Sequence, residues 1–282
     1  MVTTRRFSQV NVFSAHALRG NPLAVVHDAD GLDEETLAAF ARWTNLSETT
    51  FLLTPSDDAA DYRVRIFTTT GELPFAGHPT LGSAHAWLEA GGEPRHTGHV
   101  VQECGAGLVT VSTADRLAFA APPLTRSGPL AAAQEAAVRD ALRLEASQVR
   151  GMAWIDNGPG WIGVELAGAD EVLAVEPDPL LTRQLQVGVI GRWPDPSTKG
   201  KDVEVRAFYG DGTGVEEDPV TGSLNAGLAQ WLITSGRLPQ RYVAGQGARL
   251  LRDGRVYLEQ RDGQVWVGGD TFTTVSGQVR IG

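Results

Sequence analysis

Two short stretches half a chain apart spell nearly the same thing: His78-Pro79-Thr80-Leu81-Gly82-Ser83 and Asp218-Pro219-Val220-Thr221-Gly222-Ser223. The shared Pro, Gly and Ser are backbone chemistry. The first position differs, an imidazole in one copy and a carboxylate in the other. Proline in a first helical turn is pre-set for helix geometry, and the first N–H groups of a helix lack intrahelical partners. Each stretch is therefore expected to open a helix, with Gly82 and Gly222 letting a ligand or another backbone come close. Two such helix starts facing one pocket would suit a carboxylate. His78 is expected to stay neutral near pH 7, because a helix N-terminus disfavours imidazolium. Asp218 alone would be an ordinary N-cap. Set opposite His78 across a pseudo-twofold axis, it reads as half of an acid/base pair.

A third candidate is Glu48, in Asn45-Leu46-Ser47-Glu48-Thr49-Thr50-Phe51, between a helix stop and a β-prone run. Desolvation raises the pKa of a carboxylate, which suits a general base working near neutrality. The competing explanation is an exposed glutamate at a strand edge. Other chemistries have little to stand on. The chain contains no HExxH and no CxxC, and His96 and His99 sit among Gly, Thr and Arg in an expected loop without obvious further ligands, so no metal is expected. No GxGxxG follows a strand and no P-loop is present, so no nucleotide cofactor is expected. Ser47 and Ser223 lack a nucleophile-elbow context. Acid/base catalysis without a cofactor is what these residues support.

Positioning those groups requires a strand before each motif and a helix after it. Val64-Arg65-Ile66-Phe67 is matched by Val205-Arg206-Ala207-Phe208, and Gly20-Asn21-Pro22 by Asn157-Gly158-Pro159. Such self-similarity indicates a duplicated unit. In the first half, Phe7–Phe13 and Leu23–Val26 alternate as strands. Asp33 should cap a helix with Leu37, Phe40, Ala41 and Thr44 on one face, closed by Asn45. Strands over Thr49–Leu53 and Tyr62–Thr68 precede a helix with Leu81, Ala84, His85 and Leu88 inward. Further strands around 100–101, 108–111 and 117–120 complete the half. The second half has helices over Leu130–Leu144 and around Pro179–Leu185. Its strands are expected over Trp161–Leu166 and Val203–Phe208, before a helix with Leu224, Leu228, Trp231 and Leu232 on one face. The expected organisation is a first half over 1–120, completed by the tail 268–282, a linker over 121–129, and a second half over 130–267.

The chain has 282 residues, 42% of them hydrophobic, with 33 glycines and 15 prolines, which favours turn-rich sheet over a helical bundle. A net charge of −10 argues against nucleic acid or an anionic membrane as partner. No apolar run is long enough to span a bilayer, and the N-terminus runs straight into an alternating strand. Cys104 is the single cysteine, so no intrachain disulfide forms, and a cytoplasmic location is expected.

Gly20-Asn21-Pro22-Leu23-Ala24-Val25-Val26, Asn45 to Phe51, Pro74-Phe75-Ala76-Gly77-His78-Pro79-Thr80 and Glu217-Asp218-Pro219-Val220-Thr221-Gly222-Ser223 together resemble the phenazine-biosynthesis PhzF family, over nearly the whole chain. The resemblance implies an α+β fold of the diaminopimelate epimerase type. In it, two pseudo-symmetric halves each wrap a mixed β-sheet around a central helix, with the active site between the halves. It further implies a cofactor-free isomerase, usually a homodimer, acting on a small carboxylate. The family's namesake moves a proton along the ring of trans-2,3-dihydro-3-hydroxyanthranilate. Residue by residue, the resemblance makes Glu48 the general acid/base, with His78 and Asp218 assisting and Gly77, His78, Gly222 and Ser223 holding substrate. Relatives that epimerise amino acids use two cysteines at the two helix starts. Neither helix start here carries one, which excludes the two-thiol mechanism. The alternative is a non-catalytic member of the fold that binds a small carboxylate or a protein. The chain departs from the family after Gln246-Gly247, where Arg252-Asp253-Gly254 stands in place of the common Arg-Pro-Ser.

Overall fold

The computed structural model describes residues 2–282, which divide into two compact units, 2–120 with 268–282 and 121–267. Both are mixed α+β.

In the first unit, β1 (Thr3–Val12) is flanked by β2 (Asn21–Val26) and by the C-terminal strand Thr271–Ile281, antiparallel to both. Helix α1 (Glu34–Thr44) carries the chain to β3 (Thr49–Leu53), parallel to β2. Asp33 caps α1 by accepting the Thr36 N–H at 2.8 Å, and Asn45 closes it in the left-handed region at φ 54°. β4 (Tyr62–Phe67) lies antiparallel to β3 and pairs with the two-residue β5 (Glu72–Leu73). Helix α2 (Gly77–Glu89) then crosses over to β6 (His99–Cys104), parallel to β4, and β7 (Gly107–Ser112) and β8 (Ala118–Ala120) follow as a meander.

The second unit opens with β9 (Arg126–Gly128), antiparallel to β10 (Val149–Asp156), with α3 (Ala132–Leu142) between them. Residues 126–128, expected as linker, are thus sheet. Their Gly and Pro neighbours are turn residues, but the backbone of 126–128 finds partners on β10. β11 (Trp161–Leu166) pairs with β10. Two short helices, α4 (Ala169–Ala174) and α5 (Pro179–Thr182), lead to β12 (Gln186–Arg192), which runs parallel to β11. After α6 (Pro196–Lys199), β13 (Val203–Gly210) pairs with β12 and with β14 (Val215–Asp218). Helix α7 (Gly222–Thr234) crosses to β15 (Arg241–Gln246), parallel to β13, and β16 (Gly254–Arg261) and β17 (Gln264–Gly268) close the unit.

Crossovers between parallel strands need a long connection, and here α2 and α7 supply it. Both are buried around most of their circumference, with Leu81 and Ala84 in one and Leu224, Leu228 and Leu232 in the other fully enclosed. A helix apolar on all sides must be wrapped by its own domain. Glycine permits the close approach. A Cβ at Gly82 would lie 2.5 Å from Leu23 Cδ2, and one at Gly227 would lie 2.4 Å from the Ile155 carbonyl oxygen. Gly82 therefore serves the packing of α2 on β2, the close approach of another segment that was one of the two readings of its sequence context.

The strand preceding each motif is gripped in the same way. Arg65 on β4 donates from Nε and Nη2 to both oxygens of Glu72 on β5, at 2.8 and 2.6 Å. Arg206 on β13 does the same to Glu217 on β14, at 3.0 and 2.8 Å. Each guanidinium also stacks over a phenylalanine two residues on, Phe67 at 5.0 Å and Phe208 at 4.8 Å. The forks differ in depth. Arg65 is 20% exposed, whereas Arg206 is 4% exposed and also binds the Val172 and Val175 carbonyls at 3.3 and 2.5 Å.

Candidate active site

Glu48 stands one residue ahead of β3, its side chain 15% exposed, with Oε2 3.3 Å from Nε2 of His78. His78 is the second residue of α2 and is buried. On the other side of its ring, Nδ2 of Asn21 lies 3.4 Å from Nδ1. An amide nitrogen only donates, so Nδ1 accepts and the ring proton sits on Nε2, which approaches Glu48 without hydrogen-bond geometry. The arrangement presents Glu48 beside a neutral imidazole. Beneath them, Ser83 donates to Thr50 Oγ1 at 2.9 Å, and Tyr62, Gln102 and Thr80 form a buried chain with links of 3.0 and 3.1 Å. These bonds fix α2 against β3, β4 and β6.

Burial pushes the His78 imidazole down to about 3, so its neutrality comes from desolvation more than from the helix dipole. The unfolded chain takes that proton near 6.5 and the folded one only near 3, so stability falls as pH is lowered through this interval. Nuclear magnetic resonance should show the His78 ring neutral throughout about pH 5 to 8, the range in which histidines ordinarily titrate. A midpoint near the ordinary histidine value would contradict this placement.

The first helix begins just before its histidine, at Gly77, but the second begins only after its aspartate, at Gly222. Asp218 is accordingly not an N-cap. It is the last residue of β14, still paired with Ala207, and that pairing delays the helix past Pro219 and Val220. The cap is Thr221, whose hydroxyl donates to Asp218 Oδ2 at 2.5 Å and so makes no cap bond to the helix. Gln246, 1% exposed, satisfies all four of its amide positions here. Its Oε1 accepts from Thr221 N and Asn225 Nδ2 at 3.0 and 2.8 Å, and its Nε2 donates to the Asp218 carbonyl and Thr221 Oγ1 at 3.0 and 2.9 Å. Gly222 and Ser223 form the first turn of α7, where backbone N–H groups lack helical partners. Asn157 Nδ2 holds the Ser223 carbonyl at 2.9 Å.

The first unit thus brings Glu48, Gly77 and His78 together, and the second gathers Asp218, Gly222 and Ser223. Cys104 lies elsewhere, at the end of β6 with its thiol on the Gly107 carbonyl at 3.5 Å. Burial raises that thiol above its ordinary value. Among the described residues no group of three or more His, Cys, Asp and Glu could hold a metal, and no helix is long and apolar enough to cross a membrane. Asn21, Asn157, Thr221 and Gln246 went unassigned in the sequence, although the two asparagines stood in matched turns. Each proves to touch the first turn of its unit's central helix.

This fold is that of the PhzF proteins. A Bacillus anthracis phenazine biosynthesis protein of that family superposes with a TM-score of 0.82 at 22% identity, over 98% of this chain and 99% of that one. The phenazine biosynthesis-like PhzC–PhzF pattern matches residues 10–277, and the chain belongs to that family. Among its relatives, antisense-enhancing sequence 1 of Schizosaccharomyces pombe is 34% identical over 98% of this chain and 99% of its own. A trans-2,3-dihydro-3-hydroxyanthranilate isomerase of Pseudomonas fluorescens is 31% identical over 81% of this chain and 80% of its own.

Proposed function

We propose that this protein is a cofactor-independent isomerase that moves a proton between carbons of a small, carboxylate-bearing substrate. It would act as a cytoplasmic homodimer. Glu48 is the general acid/base. Its carboxylate takes a proton from a C–H made acidic by a neighbouring carbonyl, carboxylate or double bond. The electron pair passes into the conjugated system, and the protonated Glu48 returns the proton to another carbon. His78, neutral with its proton on Nε2, orients Glu48 and donates that proton's hydrogen bond to substrate as Glu48 becomes protonated. Asp218, from the second unit, assists, and the first turn of α7 holds the substrate carboxylate at Gly222 and Ser223. The observation that carries this reading is the Glu48–His78 contact of 3.3 Å with its ring nitrogen fixed by Asn21. General acid/base catalysis typically supplies about 10²–10⁴-fold, so positioning supplies the remainder. The isomerase named among the relatives makes trans-2,3-dihydro-3-hydroxyanthranilate the first compound to try.

The test is incubation in D₂O with that compound and a panel of small amino and hydroxy acids, followed by mass spectrometry. Conversion of one compound, with either retained hydrogen or one deuterium per turnover, is the expected result. Saturable binding of a carboxylate with no exchange or isomerisation across the panel would replace the isomerase with a binding protein.

A further inference from the structure

Asp218 is held by two polar links whose direction the main chain dictates. Gln246, the last residue of β15, is buried between them. Its amide meets two backbone groups of fixed character. The Thr221 N–H, which only donates, lies 3.0 Å from Oε1, and the Asp218 carbonyl, which only accepts, lies 3.0 Å from Nε2. The amide therefore cannot be turned over, and it is Nε2 that faces Thr221 Oγ1 at 2.9 Å. The hydroxyl accepts there. Its own proton goes to Asp218 Oδ2 at 2.5 Å, and it has no other acceptor among the described residues. A second lone pair on Oγ1 does not alter this, because the hydroxyl has one proton and one place to give it. The length is that of a hydroxyl on a carboxylate, about 2.5–2.7 Å. The first unit carries the same residue types one place out of step. There Gln102 donates to Thr80 at 3.1 Å and accepts the Tyr62 hydroxyl at 3.0 Å, and neither bond reaches His78. Thr80 lies inside α2, two residues after the histidine, whereas Thr221 precedes α7, three residues after the aspartate.

We infer that Gln246 and Thr221 are positioning residues for Asp218: the amide fixes the direction of the Thr221 hydroxyl, and the hydroxyl fixes the carboxylate. The inference rests on the assisting role proposed for Asp218 and names what holds that side chain in place. Packing alone would account for the burial of Gln246, but it has no need of the hydroxyl link. Gln246→Glu separates the two. It keeps the shape of the side chain and reverses one end of it. The second oxygen can accept the Thr221 proton but has none to give, so the hydroxyl turns from Asp218 to the new carboxylate.

The ¹³C resonance of the Asp218 carboxyl group in ligand-free protein reads the link directly, and deuterium exchange into a converted compound reads its use. Thr221→Val keeps the branched shape, leaves the Gln246 amide where it is and removes the hydroxyl. It should move the carboxyl resonance and lower turnover about 10- to 100-fold, the worth of a hydrogen bond to a charged group, with KM little changed. Gln246→Glu should move the same resonance and lower turnover in the same range. Thr221→Ser, which retains the hydroxyl, should stay close to wild type in both. An Asp218 resonance unmoved by Thr221→Val would overturn the inference, as would a Thr221→Ser protein no better than Thr221→Val. A moved resonance with unchanged turnover would also overturn it. A wild type that binds a carboxylate without converting it would replace the isomerase reading alone, and the carboxyl resonance would then decide whether the link exists. Should Gln246→Glu fail to fold, the two threonine variants decide the matter without it.

Discussion

Glu48→Gln should reduce turnover by about 10²–10⁴-fold, the span general acid/base catalysis commonly covers. The amide keeps the size and planarity of the carboxylate and can turn its oxygen toward the Nε2–H of His78, so the 3.3 Å contact survives in altered form. What it cannot do is take a proton. Binding should change far less than turnover, because the turn proposed to hold the carboxylate lies on α7 and retains every group. The measurement is the rate of deuterium exchange into whichever compound the protein converts, alongside the thermal midpoint of the variant. Near-normal exchange by a well-folded Glu48→Gln protein would remove Glu48 from the mechanism. His78→Gln is the useful companion. It preserves a donor near Glu48 and should sit between wild type and Glu48→Gln in rate.

The largest loss of stability is expected at Arg206. Replacing it with Met keeps much of the volume but leaves the Glu217 carboxylate and the Val172 and Val175 carbonyls without their shared donor. Removing one partner of a buried ion pair costs about 3–5 kcal/mol, because the other charge stays in a low-dielectric setting. Arg65→Met removes the equivalent fork in the first unit, where Glu72 is 37% exposed and water can replace the guanidinium. A cost below about 1 kcal/mol is expected there. Denaturant unfolding of both variants measures the difference. Equal losses would mean that depth is not what separates the forks. Glu217 adjoins Asp218, so Arg206→Met should also loosen the residue proposed to assist catalysis, and turnover should fall in the protein that remains folded.

Local chemistry made much of this molecule legible in the sequence. Asp33 and Asn45 frame α1 as their side chains predict, and the Val-Arg-x-Phe strands lie where expected. The elements missed were those whose reasons are tertiary. Gln186–Arg192 contains Gly188 and Gly191, which look like strand breakers. In the fold, a Cβ at Gly188 would lie 2.2 Å from Leu224 of α7, and one at Gly191 would strike the Gly168 carbonyl. Both glycines mark close approach within a strand. The site shows the same division. Glu48, His78 and Asp218 stood out by residue type and repetition. The groups that define their protonation and orientation did not: Asn21 lies 57 positions from His78, and Gln246 lies 28 from Asp218. Nor could matching letters reveal that one helix starts ahead of its motif and the other inside it. That difference depends on how far β14 stays paired.

The C-terminal strand bears on the order in which the protein is made. Thr3 pairs with Ile281 and Val12 with Thr271, so the sheet of the first unit is joined from segments at opposite ends of the sequence. The second unit, 121–267, is contiguous. During vectorial synthesis its last strand leaves the ribosome while β1 still lacks one neighbour. Long sequence separation slows the closing of such contacts, and an unpaired strand edge invites foreign partners. The half that carries Glu48 and His78 is therefore the last to mature, although it is the first to be translated.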